Sequence, residues 1–136
     1  MIRPIQKDIF FLRKKSLPAT AADISVANDL RDTLFAHEHE CVGMAANMIG
    51  VNKSVIAFFN DGVYMEMFNP EIISRALPYK TEEGCLSLTG IRQTTRYNLI
   101  TVCYQNRDFE KKREVFTGVT AQIIQHEMDH LNGIII

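Results

Sequence analysis

Two segments of the chain carry apolar residues at helical spacing, one near the start and one at the end. Over about residues 20–39 the apolar positions fall on one helix face, with Thr20 or Asp23 placed to cap its start. Over Val119–Leu131 the same period returns, and Gly133 stands where a helix-ending glycine is common. The pattern predicts an N-terminal helix and a C-terminal helix, each with one buried face.

The segments between these helices have the short apolar or alternating runs of β-strands. Asn60, Asp61 and Gly62 separate SVIAFF from VYMEMF, which is typical of a β-hairpin. NPEIISRAL can extend the sheet, and a second pair of strands is predicted from NLITVCY and KREVFTG, joined by the polar stretch QNRDFEK. Strands between two helices predict an α+β fold, in a single domain over residues 1–136.

Composition narrows the class of protein. The chain has 15 Lys and Arg against 16 Asp and Glu, so it lacks the basic charge expected of a nucleic-acid or anionic-membrane binder. Its start has only four consecutive apolar residues between charges, too few for a signal peptide or a membrane span. Three cysteines are an odd number and do not indicate a disulfide framework. We expect a cytoplasmic protein with neither nucleic acid nor membrane as a partner.

The C-terminal helix carries the sequence QHEMDH. His126 and His130 lie one turn apart and project from the same face, so both imidazoles can reach one cation at about 2.0 to 2.1 Å. Glu127 lies beside them and is suited to accept a proton from a metal-activated water. The alternative is a surface helix in which these residues occur together by chance.

The third protein ligand must come from upstream. Only six residues follow His130, and none of them is His, Cys, Asp or Glu. His37 and His39 lie two positions apart on the first helix and therefore face different ways, so they cannot both join the site. Each is better interpreted as a histidine near a helix end.

Among the cysteines, Cys85 is the strongest candidate. It follows Gly84, whose backbone freedom allows the thiol to turn inward. Cys103 lies in an apolar strand-like run and is interpreted as core packing. Cys41 also fits core packing at a helix end, and it stays open as an alternative ligand. One Cys and two His leave a fourth position for water, as in a catalytic site.

Three stretches, in this order, resemble the three motifs of the peptide deformylases: CVGMAANMIG, GCLS preceded by a Glu, and QHEMDHLNG. The resemblance spans most of the chain. It implies mixed or antiparallel sheets packed around the HExxH helix, and a metal-dependent hydrolase that removes the formyl group from N-formylmethionine on new polypeptides. It also implies one divalent ion per chain, Fe²⁺ or a substitute such as Zn²⁺, Ni²⁺ or Co²⁺, an N-formylmethionyl peptide as substrate, and transient association with the ribosome.

The same resemblance assigns roles to individual residues. Cys85, His126 and His130 become the metal ligands, and Glu127 becomes the general base and acid. A metal-bound hydroxide would attack the formyl carbon, and the backbone N–H of Leu86 would be one donor to the developing oxyanion.

One position departs from the family pattern G-x-G-x-A-A-x-Q-x-G. The chain has Met48 where the pattern has glutamine, and a thioether cannot donate a hydrogen bond. Loss of one oxyanion donor typically costs about a hundred- to a thousandfold in turnover. Asn47 carries an amide, but it is one position away and shorter. Met48 therefore keeps a second hypothesis open, a catalytically weak or inactive deformylase-like metal-binding protein that binds formylated or N-terminal peptides.

Four further residues are expected near the substrate. Val42, Gly43 and Ile123 adjoin the first and third motifs and are expected at a pocket for the methionine side chain. Arg92 falls where relatives have an arginine near the peptide. The alternatives are ordinary core packing for Val42 and Ile123 and a solvated surface position for Arg92.

Two expectations concern the end of the chain. Asp129 is spaced to face away from the metal and is expected to contact another part of the fold. The three terminal residues, Ile134–Ile136, are all apolar and are expected to be buried.

Overall fold

The computed structural model describes residues 1–85 and 87–134 and has five strands and three α-helices in this part of the chain. None of these helices combines the length and the apolar character needed to cross a membrane. The strands are β1 (Gly43–Ala45), β2 (Val55–Asn60), β3 (Val63–Cys85), β4 (Leu88–Gln105) and β5 (Lys111–Thr117), and the helices are α1 (Ile9–Leu12), α2 (Ile24–Ala36) and α3 (Gly118–Leu131).

The strands form one antiparallel sheet in the order β1-β2-β3-β4-β5. Asn60 pairs with Val63, and Asp61 and Gly62 form the turn between them with φ of 50° and 83°. Two successive positive φ angles match the right-handed twist of a two-residue hairpin. The predicted hairpin, the second pair β4 and β5, and the α+β class are confirmed.

Strand β2 is buried on both faces, which explains its unbroken apolar sequence. Ile56 and Phe58 point into one core and Val55 and Ala57 into another, and all four are 0% exposed. The first core contains Ala121, Ile124 and Leu131 of α3, and the second contains Ala27, Leu30 and Leu34 of α2. The sheet therefore lies between the two long helices.

The N-terminal helix α2 is shorter than the segment of about residues 20–39 that the sequence predicts. Residues 21–23 form a 3-10 turn before α2, and the Asp23 carboxylate accepts the Thr20 backbone N–H at 2.8 Å. The helix ends at Ala36, where residues 37–40 continue as turns. The short helix α1, capped by the Asp8 side chain on the N–H of Phe10, was not predicted because four residues show no helical period.

Buried amides fix α3 against its neighbours. Gln125 accepts the backbone N–H of Tyr97 at 2.8 Å and donates to the carbonyl of the same residue at 2.7 Å, which ties the helix to β4. The Asn47 amide donates to the carbonyl of His130 at 2.7 Å. These contacts set where the QHEMDH segment meets the sheet.

The chain turns away from α3 at Gly133, whose φ is 75°. This glycine confirms the predicted helix end. Ile134 is 45% exposed, so the expectation that the terminal isoleucines are buried is wrong for this residue, because the turn directs it away from the core. Ile135 and Ile136 lie outside the described residues.

Candidate active site

Cys85 at the end of β3 meets two histidines of α3. The Sγ of Cys85 and one ring nitrogen each of His126 and His130 lie within 4.8 Å of one another. The two Nε2 atoms are 3.1 Å apart, so both imidazoles point to the same place. Among the described residues, these three are the His, Cys or acidic side chains whose ligand atoms lie close enough together to bind one metal ion. The structure brings together the three ligands predicted from the sequence.

The other candidate ligands are not part of this group of three residues. His37 lies just after α2, and its Nδ1 is 3.2 Å from the Glu40 carboxylate. Cys103 lies on β4 as predicted, although it is half-buried instead of part of the core. Cys41 is half-buried, packs on the α2 side of the sheet and lines the cleft beside Cys85. All three cysteines are free thiols.

A cleft of about 470 Å³ opens beside the cluster. Val42, Gly43 and Ile123, expected near the substrate, line it together with Cys85 and Met48. Val42 is half-exposed and Gly43 is buried, so the cleft passes from solvent to the buried cluster.

Arg92 lies on β4 directly opposite Glu83 of β3 and is half-buried. Leu86, expected to donate its backbone N–H, lies outside the described residues.

A carboxylate orients the first histidine. Glu83 Oε1 is 2.7 Å from Nδ1 of His126, and Arg96 donates to both oxygens of Glu83 through Nε and Nη2. Arg96 also donates to Asp129 Oδ2 at 2.6 Å, so Asp129 contacts another part of the fold as predicted. A carboxylate on the second ring nitrogen fixes the tautomer and orientation of a metal-binding histidine.

Burial and hydrogen bonds shift the pKa values of the residues in the cluster in different directions. Burial opposes the ionised form of Glu83, yet hydrogen bonds with His126, Arg96 and Gln122 lower its pKa to about 2. Burial likewise opposes charge on His126, but hydrogen bonds to Cys85 and Glu83 raise its pKa to about 10. Burial and the neighbouring His126 lower the pKa of His130 to about 3, so its ring nitrogen keeps a lone pair.

Glu127 has a different environment from Glu83. It is 4% exposed, and its Oε1 has no hydrogen-bond partner among the described residues. Burial raises its pKa to about 7. A buried carboxylate without a partner is costly unless it has a function, and this one lies next to a metal-ligand cluster.

The first motif differs from the family pattern in the way that the sequence predicts. Met48 is buried and lines the cleft, and its sulfur accepts the backbone N–H of Ala45 at 3.5 Å. The Asn47 amide donates to the His130 carbonyl, so it already has a partner and is a poor replacement for the missing glutamine.

This set of residues fits a divalent ion. A thiol and two imidazoles converge on one point, a carboxylate orients one of them, and an unpartnered carboxylate adjoins the open side. Three such ligands with one free position are the form of a catalytic site.

Comparison with known proteins decides the family. The family model described as polypeptide deformylase matches residues 2–136. A peptide deformylase of Clostridium beijerinckii is 56% identical over 136 residues, which is 100% of both chains. The chain belongs to the peptide deformylase family. It is therefore a hydrolase, and deformylases depend on a metal ion.

Solved deformylases share the fold. A class I type b peptide deformylase of Acinetobacter baumannii with Met-Ala-Ser bound superposes with a TM-score of 0.89 at 30% identity, covering 99% of this chain and 97% of that one. The same enzyme with actinonin bound gives 0.88 at 31% identity, covering 99% and 95%. These comparisons lend no support to the hypothesis of a binding protein without activity.

Sequence reasoning missed the residues that support the ligands. Arg96, Gln122 and Tyr79 were not predicted, and Glu83 was noted only as part of a motif. One signal was available: Gln122 precedes His126 by four positions and therefore lies on the same face of α3.

Proposed function

We propose that Cys85, His126 and His130 hold one divalent ion and that Glu127 is the general base and acid in deformylation of N-formylmethionyl peptides. The observation that carries this proposal is the convergence of the three candidate ligand atoms in a cleft that Glu127 also lines, with Oε1 of Glu127 buried and without a hydrogen-bond partner among the described residues. The family membership of the chain supports the reaction, and the geometry supports the roles.

Glu127 moves the proton. It accepts one from the attacking water and returns it to the amine that leaves when the formyl C–N bond breaks. A pKa of about 7 suits both steps, because the group is partly ionised and partly protonated near neutral pH. When bound, the ion supplies Lewis acidity, which polarises the formyl carbonyl and acidifies the water.

The cleft residues orient the peptide. Val42, Gly43 and Ile123 contact the methionine side chain, and Arg92 binds further along the peptide chain. Leu86 donates its backbone N–H to the oxyanion. The bound Met-Ala-Ser of the Acinetobacter baumannii relative supports a peptide as the ligand.

The side chain at position 48 does not supply a second oxyanion donor, so turnover is lower than in a glutamine-bearing relative. The ion is Fe²⁺ or one of the substitutes Zn²⁺, Ni²⁺ and Co²⁺, since a thiolate and two imidazoles suit each of them. The chain acts as one domain in the cytoplasm and associates transiently with the ribosome.

The experiment is formate release from a formyl-Met peptide by protein loaded anaerobically with Fe²⁺. We expect Glu127→Gln to lose activity while it keeps one ion per chain, because the amide cannot accept the proton. Cys85→Ser should lower metal content itself. Glu110→Gln removes an exposed carboxylate from the β4–β5 turn and is the matched control, with activity unchanged. Equal activity of Glu127→Gln and the control would refute the assignment of Glu127.

A further inference from the structure

Gln122 lies between the substrate cleft and the carboxylate that orients His126. It is on α3, one turn before His126, and its side chain lines the cleft. Its Nε2 donates to Glu83 Oε2 at 2.9 Å. Its Oε1 accepts the hydroxyl of Tyr79 at 3.3 Å. One side chain therefore contacts both the cleft and the support of a metal ligand.

The carboxylate of Glu83 decides which way the Gln122 amide points, and the Tyr79 hydroxyl supports that orientation. A phenol hydroxyl that donates to Oε1 leaves Nε2 directed at Glu83. The flipped amide would put Oε1 against an ionised carboxylate, where both groups are acceptors. The chain of hydrogen bonds thus has one favourable direction, from Tyr79 through Gln122 to Glu83.

Gln122 adds to the restraint that Arg96 places on the Glu83 carboxylate. Its Oε1 is bonded to His126 and to Arg96, whereas its Oε2 accepts from Nε of Arg96 at 3.0 Å and from Gln122. Without Gln122, Arg96 is the remaining donor that holds Oε2 among the described residues. The two-point Arg96 contact still holds both oxygens, but the carboxylate loses the donor that restrains Oε2 from the cleft side, so its bond to Nδ1 of His126 is less firmly directed.

We propose that Gln122 is a positioning residue which, through Glu83, holds the imidazole of His126 in the orientation for metal binding, while its side chain forms part of the cleft wall. The inference rests on the proposed metal site. A side chain in the cleft that displaces Gln122 would also disturb the ligand geometry, so substrate binding and the metal site are coupled through this residue.

The test compares Co²⁺ binding by five proteins: the unaltered chain, two single variants, their double variant and a control variant. Gln122→Leu keeps most of the side-chain volume and removes both hydrogen bonds. Tyr79→Phe removes only the hydroxyl that orients the amide. Tyr97→Phe removes a tyrosine hydroxyl from β4, where the ring stacks against Arg75, and is the matched control. Affinity is measured for Co²⁺ alone by competition with a chelator, and the visible spectrum of the bound Co²⁺ reports its ligand geometry.

We expect Gln122→Leu to weaken Co²⁺ binding by about five- to tenfold and to shift the visible bands, since direct partners of metal ligands such as Glu83 typically matter by about 10- to 100-fold and Gln122 acts one hydrogen bond further out. Tyr79→Phe should weaken it by about two- to fivefold, as for one neutral hydrogen bond. In the Gln122→Leu background, Tyr79→Phe should cause no further loss of Co²⁺ affinity, because Tyr79 acts through Gln122. If the variants only loosened the packing, they would lower thermal stability, and the effect of Tyr79→Phe on Co²⁺ affinity would not depend on whether Gln122 is present.

Two outcomes separate the inference from the proposed function. If the unaltered chain binds Co²⁺ but Gln122→Leu matches it within twofold with the same spectrum, the role of Gln122 is refuted and the metal site stands. If the unaltered chain binds no Co²⁺, the metal site itself is refuted. Additive effects of Tyr79→Phe and Gln122→Leu would overturn the proposed order of the hydrogen-bond chain.

Discussion

Gly43→Ala should lower deformylase turnover without removing a ligand. A Cβ added at Gly43 would lie 2.9 Å from Cγ2 of Ile123 and 3.0 Å from Oε2 of Glu127. Ordinary contacts of a Cβ begin at 3.4 Å, so the neighbours must retreat by about 0.4 to 0.5 Å. Glu127 is buried between α3 and β1 and has little room to move without shifting its carboxylate.

The size of the effect follows from this displacement. A misplacement of about 1 Å can cost about 10²-fold in rate, so a shift of half that size corresponds to about tenfold. Overpacking of a buried site also costs about 1 to 3 kcal/mol of stability. The assay is kcat for formate release per bound Fe²⁺, together with urea unfolding. Metal content should not change, because the atoms nearest the added methyl group belong to Ile123 and Glu127 and not to the proposed ligands.

A glycine elsewhere provides the control. Gly62→Ala strains a turn with φ of 83°, but nothing lies within 4 Å of its new Cβ. It should lower stability by about 1 kcal/mol and leave kcat unchanged. In a Glu127→Gln background Gly43→Ala should cost no further activity. An unchanged kcat for Gly43→Ala, with Glu127 otherwise essential, would refute the close approach of β1 to this carboxylate.

Three other predictions test separate parts of the molecule. Met48→Gln should raise kcat by about tenfold or more, measured as formate release, because a side-chain donor is restored to the cleft; no gain would refute the missing-donor argument. Gly133→Ala should lower the free energy of unfolding in urea by about 2 kcal/mol or more, because its Cβ would lie 2.2 Å from the carbonyl oxygen of Arg13 and its φ is 75°; a wild-type midpoint would contradict this. Burial opposes ionisation of Glu66, but hydrogen bonds led by Arg107 hold its pKa below 4.5, so the stability that it contributes is present above about pH 4.5 and is lost as pH falls through the lower folded-state value. Glu66→Gln should therefore flatten the fall of the unfolding free energy between pH 6 and pH 3, and an unchanged slope would count against it.

The parts of the fold that could be predicted depend on short stretches of sequence. The turn at Asp61 and Gly62 and the end of α3 at Gly133 each follow from one or two residues with a special backbone conformation. The ends of α2 are harder to predict from the sequence. No Gly or Pro follows Ala36 to end the helix in the sequence, and His37 still fits its spacing, but the backbone bonds of residues 37–40 close turns instead of extending the helix.

The metal cluster was predictable for a similar reason. His126 and His130 are related by one helical turn, and the glycine before Cys85 indicates a backbone that can turn the thiol inward. The supporting residues depend on strand register. Tyr79 pairs with Arg96 across β3 and β4, and their side chains meet α3 only because the two strands pair in this register.

A polar residue on a buried helix face indicates which hydrogen-bonding groups the element packed against that face must provide. Gln122 shares its face of α3 with both histidines, and a buried or half-buried amide needs both a donor and an acceptor. The sequence therefore implies that the strand facing α3 offers both kinds of group. On β3 the side chains of Tyr79, Thr81 and Glu83 alternate onto one face, and any two of them can provide that combination. The register of the strands decides which two of these residues bond to Gln122, and in the fold they are Tyr79 and Glu83. Co²⁺ binding by Gln122→Leu and Tyr79→Phe tests whether these hydrogen bonds also support the metal site.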